Sequence, residues 1–169
     1  AIAAAALKRG ANVCLIGANL SEAVPEGVKL IKVGSAAEMQ NALEQEFSKC
    51  DVLYMAAAVA DARPTSVSDF KIKKDTYTQI ELEKNNDLLQ SLSGIKKANQ
   101  VVFGFSAETS DIDHVEANRK LKAKSLDFIY TNDVSGGKAD NRMGKVLARN
   151  NNAQLIVMHW RGHSETMQD

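Results

Sequence analysis

Apolar residues in this chain come in short runs set between longer amphipathic stretches. The opening Ala1-Ile-Ala-Ala-Ala-Ala-Leu-Lys-Arg9 is built from strong helix formers and stops at Gly10, so it predicts a helix with a glycine just past its end. Asn12-Val-Cys-Leu-Ile16 comes next without polar alternation, the pattern of a strand covered on both faces. Val28-Lys-Leu-Ile-Lys-Val33 predicts a second strand after the Pro25/Gly27 turn. Ser35 with Glu38 three residues on forms a capping box for a helix to about Phe47.

The alternation continues through strands at Asp51–Met55, Val101–Phe105 and Leu126–Thr131. A helical stretch from Ile112 to Lys124 keeps Val115, Asn118, Leu121 and Lys122 in register. Strands that alternate with helices at this spacing specify an α/β fold: a Rossmann-like, doubly wound, mostly parallel sheet with helices on both faces. The last third differs. Gly136-Gly137, Asp140-Asn141 and Asn150-Asn-Asn152 bracket Lys145–Ala148 and Gln154–Met158, which predicts a C-terminal antiparallel hairpin at the sheet edge.

One domain over residues 1–169 accounts for this pattern, and the length suffices for a buried core. A doubly wound fold ordinarily opens with a strand and a glycine-rich turn, whereas here a helix comes first. The expectation is therefore a domain lacking its first strand and that turn. Ser164–Asp169 reads as the start of a last helix cut after one turn.

Charge narrows the function classes. Lys and Arg total 21, as do Asp and Glu, so the excess positive charge of a phosphate-neutralising nucleic-acid binder is missing. No stretch approaches the ~20 apolar residues of a membrane span and no signal peptide opens the chain, so cytoplasmic localisation is the default. Cys14 and Cys50 lie in apolar runs without metal-ligand spacing and read as buried reduced thiols. His114, His159 and His163 have no ligand spacing either, and no metal ligands are assigned. The chain contains neither G-x-G-x-x-G nor G-x-x-x-x-G-K-[ST].

Several segments carry candidate chemistry. Ala56-Ala-Ala-Val-Ala-Asp61 comes directly after a strand, where small residues let a ligand approach the backbone and Asp61 can accept hydrogen bonds; equally, the alanines can continue a packed helix with Asp61 in solvent. Between Ala62 and Lys84 the periodicity is weak. Lys71 and Lys73 share a side if this stretch is extended, which reads either as an arm that folds over phosphates or as a solvated lysine-rich loop. Lys120 and Lys124, four apart on a helix, can hold one anion together or form part of a solvated face. Lys84–Asp87, Gly104–Thr109 and Thr131–Val134 mark candidate rims of the sheet.

Taken in order, Ala57-Ala-Val-Ala-Asp61, Lys71-Ile-Lys-Lys74, Lys84-Asn-x-Asp87, Gly104-Phe-x-Ala-Glu-Thr109 and Asn132-Asp-Val134 resemble the phosphopantothenoylcysteine synthetase (phosphopantothenate–cysteine ligase) domain of coenzyme A biosynthesis, in its bacterial CTP-dependent form. The likeness spans about nine tenths of the chain and fades after Val134. It implies a nucleotide-binding ligase domain that joins 4'-phosphopantothenate to L-cysteine through an acyl-cytidylate, releasing pyrophosphate and CMP, with Mg2+ on the triphosphate. It also implies a homodimer and a fused flavin-dependent decarboxylase, phosphopantothenoylcysteine decarboxylase, within a multifunctional enzyme. Lys71 matches the essential lysine of the family. Lys120 and Lys124 match triphosphate contacts, and Ala56, Ala57, Asp61, Asn85, Asn86, Asp87 and Phe105 match the nucleotide pocket. Asn86 stands where proline is common and Ser106 where alanine is common. The asparagine-bearing glycine- and serine-rich segment that the family uses in its second half-reaction has no counterpart among residues 1–169. The alternatives are an NAD(P)-dependent oxidoreductase on the same scaffold and a non-catalytic nucleotide-binding module.

Overall fold

The structure, a computed structural model, describes residues 1–68, 70–71, 79–108, 114–133, 143–149 and 157–159. Its elements in chain order are α1 (Ile2–Leu7), β1 (Cys14–Gly17), β2 (Lys29–Lys32), α2 (Ala36–Phe47), β3 (Val52–Met55), β4 (Ala62–Pro64), β5 (Leu82–Lys84), α3 (Leu88–Ser93), β6 (Val101–Glu108), α4 (His114–Ala123), β7 (Phe128–Asp133), β8 (Met143–Ala148) and β9 (Val157–His159). The architecture is mixed α/β with mostly parallel long strands and an antiparallel pair at the end, as the alternating pattern predicts. The contacts divide it into two compact units. The first holds residues 1–48 and 57–88, and the second holds residues 49–56 and 89–169.

In the first unit β1 and β2 pair in parallel, Cys14 opposite Lys29 through Gly17 opposite Lys32. The Ser35 hydroxyl caps α2 by accepting from the Glu38 N–H at 3.2 Å. The returning carboxylate reaches one residue beyond the cap, to the Gly34 N–H at 2.8 Å. Met39, Ala42, Leu43 and Phe47 lie at helical spacing along one buried stripe of α2, which packs on β1. The expected two-sided burial of the first strand is not what the structure shows. Leu15 and Ile16 are half-buried and Cys14 is exposed, because β1 pairs with β2 alone among the described strands of this unit. Neither cysteine is in a disulfide, as read from the sequence, but Cys14 is exposed and Cys50 half-buried, so the buried reading is corrected too.

The stretch read as a loop carries local structure. β4 and β5 form an antiparallel ribbon with Ala62 opposite Lys84 and Pro64 opposite Leu82. The arm that bears Lys71 is therefore rooted in a two-stranded stem. Three-residue strands with exposed side chains leave too faint a period to be read from sequence.

The second unit is built on a five-stranded sheet of order β3-β6-β7-β8-β9. β3, β6 and β7 run parallel, while β8 and β9 complete the antiparallel edge at Met143–Ala148 and Val157–His159. Residues 150–156, which include part of the predicted last strand, lie outside the described residues. α4 packs on β7 and β8, and Val102, Ala117, Leu121, Leu126 and Ile129 are all nearly inaccessible, which makes them core of this unit. Gly104 has no room for a side chain, since a Cβ there would lie 2.6 Å from Leu126 Cδ1.

The link from α4 to β7 is tightly tied. Ser125 takes a left-handed conformation (φ 52°) while its N–H donates to the Lys122 carbonyl and the Leu126 N–H to the Leu121 carbonyl, closing the helix. Lys96 donates to the Ser125 carbonyl and to Asp127 Oδ2, which also accepts from the Val102 N–H at 2.7 Å. This knot holds the amino ends of β6 and β7 level.

Candidate functional site

In an open parallel sheet, ligands sit beyond the carboxyl ends of the strands. In the second unit those ends belong to β3, β6 and β7. β3 stops at Met55 opposite Gly104, while β6 runs on through Phe105, Ser106, Ala107 and Glu108. That overhang forms a ledge. Ala56, exposed and without a bulky side chain, leaves β3 beside it, and Asn132 of β7 pairs with Ala107.

Successive strand residues point to opposite faces, and this divides the ledge. Phe105 is 37% exposed on one face, its ring packed on Phe103 (centroids 5.4 Å) and Tyr130 (5.8 Å). Tyr54, Phe103 and Phe128 extend this aromatic row across three strands. Ser106 faces the other way, toward α4, where its hydroxyl accepts from the Lys120 ammonium at 2.9 Å. The ring of Phe105 and the charge of Lys120 thus lie on opposite faces, and a ligand touching both must pass over the ledge. Sequence reading did not pick out the aromatic row, although its period of two was visible as Phe103/Phe105 and Phe128/Tyr130.

Lys124 directly follows α4, its N–H donating to the Lys120 carbonyl at 3.0 Å, so the two lysines are one turn apart at the end of the helix. One turn earlier Arg119 grips Glu116 through two bonds of 2.7 Å. That bond holds the Glu116 carboxyl below its ordinary value, with the nearby charges of Arg119 and Lys120 adding to the effect. The Arg119 guanidinium is raised by the same bond.

The first unit carries the remaining expected residues. Asn85 is buried, and its carboxamide is spent on the protein itself: Nδ2 donates to the Ala60 carbonyl at 2.8 Å and Oδ1 accepts from Arg63 at 2.6 Å. Its backbone N–H donates to the Asp61 carbonyl at 2.8 Å. Arg63, which sequence reading did not select, also pairs with Glu83 at 2.9 Å. Asn85 thereby pins the segment around Ala60 and Asp61, which is irregular chain and not the packed helix that the alanines could have formed. Asn86 donates to Gln40 of α2 at 3.2 Å. Asp87 is half-buried immediately before α3, a favourable place for an acid.

Ala57, Asp61 and Lys71 are exposed in this unit. Lys71 comes after Phe70, and Val67, Phe70, Ile80 and Leu82 leave 63% or more of their surface open along the ribbon. Lys73 and Lys74, like Thr109 and Val134, lie outside the described residues. A cavity of about 500 Å³ at the ends of β1 and β2 is lined by Gly17, Asn19, Leu20, Glu22, Val24, Leu30, Lys32 and Val33, none of them an expected site residue. Among the described residues no group of three His, Cys, Asp or Glu side chains is placed to hold a metal ion. Nor is any described helix long and apolar enough to cross a membrane.

Residues 1–168 match the family described as the DNA/pantothenate metabolism flavoprotein C-terminal domain. The chain belongs to this family. Among curated relatives, the coenzyme A biosynthesis bifunctional protein CoaBC of Bacillus subtilis is 43% identical over 141 residues, which is 82% of this chain and 34% of that protein. The protein of the same name from Haemophilus influenzae is 42% identical over 142 residues, 83% of this chain and 35% of its own. A crystal structure of the C-terminal domain of a CoaBC protein superposes with a TM-score of 0.75 at 30% identity, covering 93% of this chain and 69% of that one. The chain spans about a third of the length of these curated relatives. The family match runs to residue 168, so the likeness extends past Val134, where the motifs give out.

Proposed function

We propose that the protein is the ligase of coenzyme A biosynthesis that joins 4'-phosphopantothenate to L-cysteine at the expense of CTP. The carrying observation is the ledge itself. In a chain of this family, Ala56, the Phe105–Glu108 overhang and Asn132 gather at the carboxyl end of three parallel strands, with the Lys120 ammonium hydrogen-bonded to that overhang. A triphosphate lying there would meet small side chains, backbone and cationic charge.

The chemistry has two steps. The carboxylate of 4'-phosphopantothenate attacks the α-phosphorus of CTP and pyrophosphate leaves, forming an acyl-cytidylate. The cysteine amine then attacks the acyl carbon, loses a proton, and CMP departs. Lys71 offsets the charge that builds on the α-phosphate, and Lys120 with Lys124 holds the triphosphate. Asp61, Phe105 and the backbone at Ala56, Ala57 and Asn85 to Asp87 line the nucleotide site. Pairing with the base discriminates cytosine from uracil, because the wrong base leaves buried polar groups unmatched. Magnesium is a hard cation that keeps phosphate and water oxygens. It would arrive on the triphosphate and neutralise part of its charge. By the same reading the protein acts as a cytoplasmic homodimer alongside a flavin-dependent decarboxylase domain, in keeping with relatives named as bifunctional proteins.

The test is to incubate the intact protein with CTP, 4'-phosphopantothenate and cysteine and monitor pyrophosphate. Release that needs CTP and is cut about 10²- to 10³-fold in Lys71→Gln, as for loss of a transition-state donor, is the expected result. Absence of CTP-dependent pyrophosphate overturns the proposal.

A further inference from the structure

Arg63 on β4 stands directly opposite Glu83 of β5, outside the residues that the motifs assign to the site. Its Nε pairs with Glu83 Oε1 at 2.9 Å, and its Nη1 donates to Asn85 Oδ1 at 2.6 Å. A guanidinium is planar, so the pairing with Glu83 also fixes where Nη1 points. The ion pair is about half open to solvent, whereas Asn85 is only 7% exposed.

Asn85 in turn holds two consecutive carbonyls. Its Nδ2 donates to the Ala60 carbonyl at 2.8 Å and its backbone N–H to the Asp61 carbonyl at 2.8 Å. These carbonyls belong to the peptide planes before and after the Asp61 Cα, so together they fix the direction in which the Asp61 side chain leaves the chain. The carboxamide suits this task in one orientation. Turned over, it would set its NH2 against a guanidinium that can only donate and its oxygen against a carbonyl that can only accept. Arg63 therefore selects the orientation that clasps Ala60, while Asp61 stays exposed.

We infer that Arg63 is a positioning residue for the nucleotide: braced on Glu83, it orients the Asn85 carboxamide, which sets the Asp61 carboxylate in place before CTP arrives. The inference rests on the reading of Asp61 as part of the nucleotide site. A pocket ordered beforehand loses less entropy on binding, so the effect falls on KM and Kd for CTP and not on the chemical step.

Arg63→Met, Arg63→Lys, Asn85→Ala and the Arg63→Met/Asn85→Ala double variant, each made in the intact protein and assayed where urea unfolding shows it folded, separate the outcomes. Arg63→Met is expected to raise the KM and the calorimetric Kd for CTP about tenfold, the scale of a hydrogen bond to a charged group, with kcat and the KM for cysteine changed less than about twofold. Arg63→Lys keeps the charge without the planar fork and should match Arg63→Met; it carries the same reading if the methionine variant does not fold. Affinity retained by the lysine would mean that charge alone acts on the phosphates, which overturns the inference. The double variant should bind no more weakly than Asn85→Ala, since both changes act through one carboxamide; effects that multiply, or an unchanged Kd in Arg63→Met, overturn it as well. A second readout needs no nucleotide: in proton–nitrogen NMR the Asn85 side-chain amide should exchange slowly in the parent and faster in Arg63→Lys. Equal exchange in both overturns the contact. If the parent protein releases no pyrophosphate from CTP, the ligase reading fails by itself, and the amide signal alone decides whether Arg63 orients Asn85.

Discussion

Asn85 of the first unit and Lys120 of the second are both polar side chains in segments that sequence motifs single out, yet the structure uses them in opposite ways. Asn85 is buried and turns inward, its amide and its oxygen both spent on Ala60 and Arg63. Lys120 stays partly open, donates to the Ser106 hydroxyl at 2.9 Å and lies 3.9 Å from the Glu116 carboxylate. The difference is one of chemistry. A buried carboxamide has donors and an acceptor that must all be matched, so it makes a good internal brace. An ammonium at an open edge keeps its charge available to an anion. Of two residues that sequence reading selects for the same role, one can therefore turn inward as a brace while the other stays at the open edge.

The sharpest way to break this comparison is Lys120→Met. If the lysine serves the nucleotide, kcat/KM for CTP should fall about 10- to 100-fold, the scale of a lost charge-assisted bond, while the urea midpoint stays near that of the parent. A large loss of stability with unchanged kinetics would make Lys120 a structural brace. Next in size, Asn85→Ala leaves the Ala60 carbonyl unmatched and releases Arg63, and should cost about 1–3 kcal/mol in urea unfolding. A variant as stable as the parent would show that the Ala60–Asp61 segment needs no clasp.

The smallest effect concerns the pair beside Lys120. Glu116 titrates below its ordinary value because Arg119 bonds to it, so the folded state favours the carboxylate. Its contribution is fully present above the ordinary carboxylate pKa of 4.5 and is lost as pH falls through the lowered folded value. Comparing Tm of the parent and Glu116→Gln from pH 6 down to about pH 3 should show a small gap that closes on the acid side. A gap that widens there would mean that Glu116 is held by something other than its charge.

The strand ends that carry the candidate site were readable in chain order. Apolar runs at Asp51–Met55, Val101–Phe105 and Leu126–Thr131 place β3, β6 and β7 within a few residues, and ligands bind at the turns that leave the carboxyl ends of parallel strands. The α2 cap was equally legible, since Ser35 and Glu38 act within one turn. The β4–β5 ribbon was not, because its pairing joins residues some 20 apart and is held by backbone bonds that no side-chain pattern announces. The Asn85–Arg63 bond spans 22 residues and escaped notice for the same reason.

Sequence alone thus determined the alternation of strands and helices, the antiparallel end and the family, because hydrophobic period, capping and ordered motifs are local or linear properties. Tertiary structure decided which polar groups face inward, that Phe105 and Lys120 occupy opposite faces, and that a serine hydroxyl holds the lysine. Those outcomes depend on pairing register and on which side of a strand each side chain takes, and register is settled only when distant segments meet.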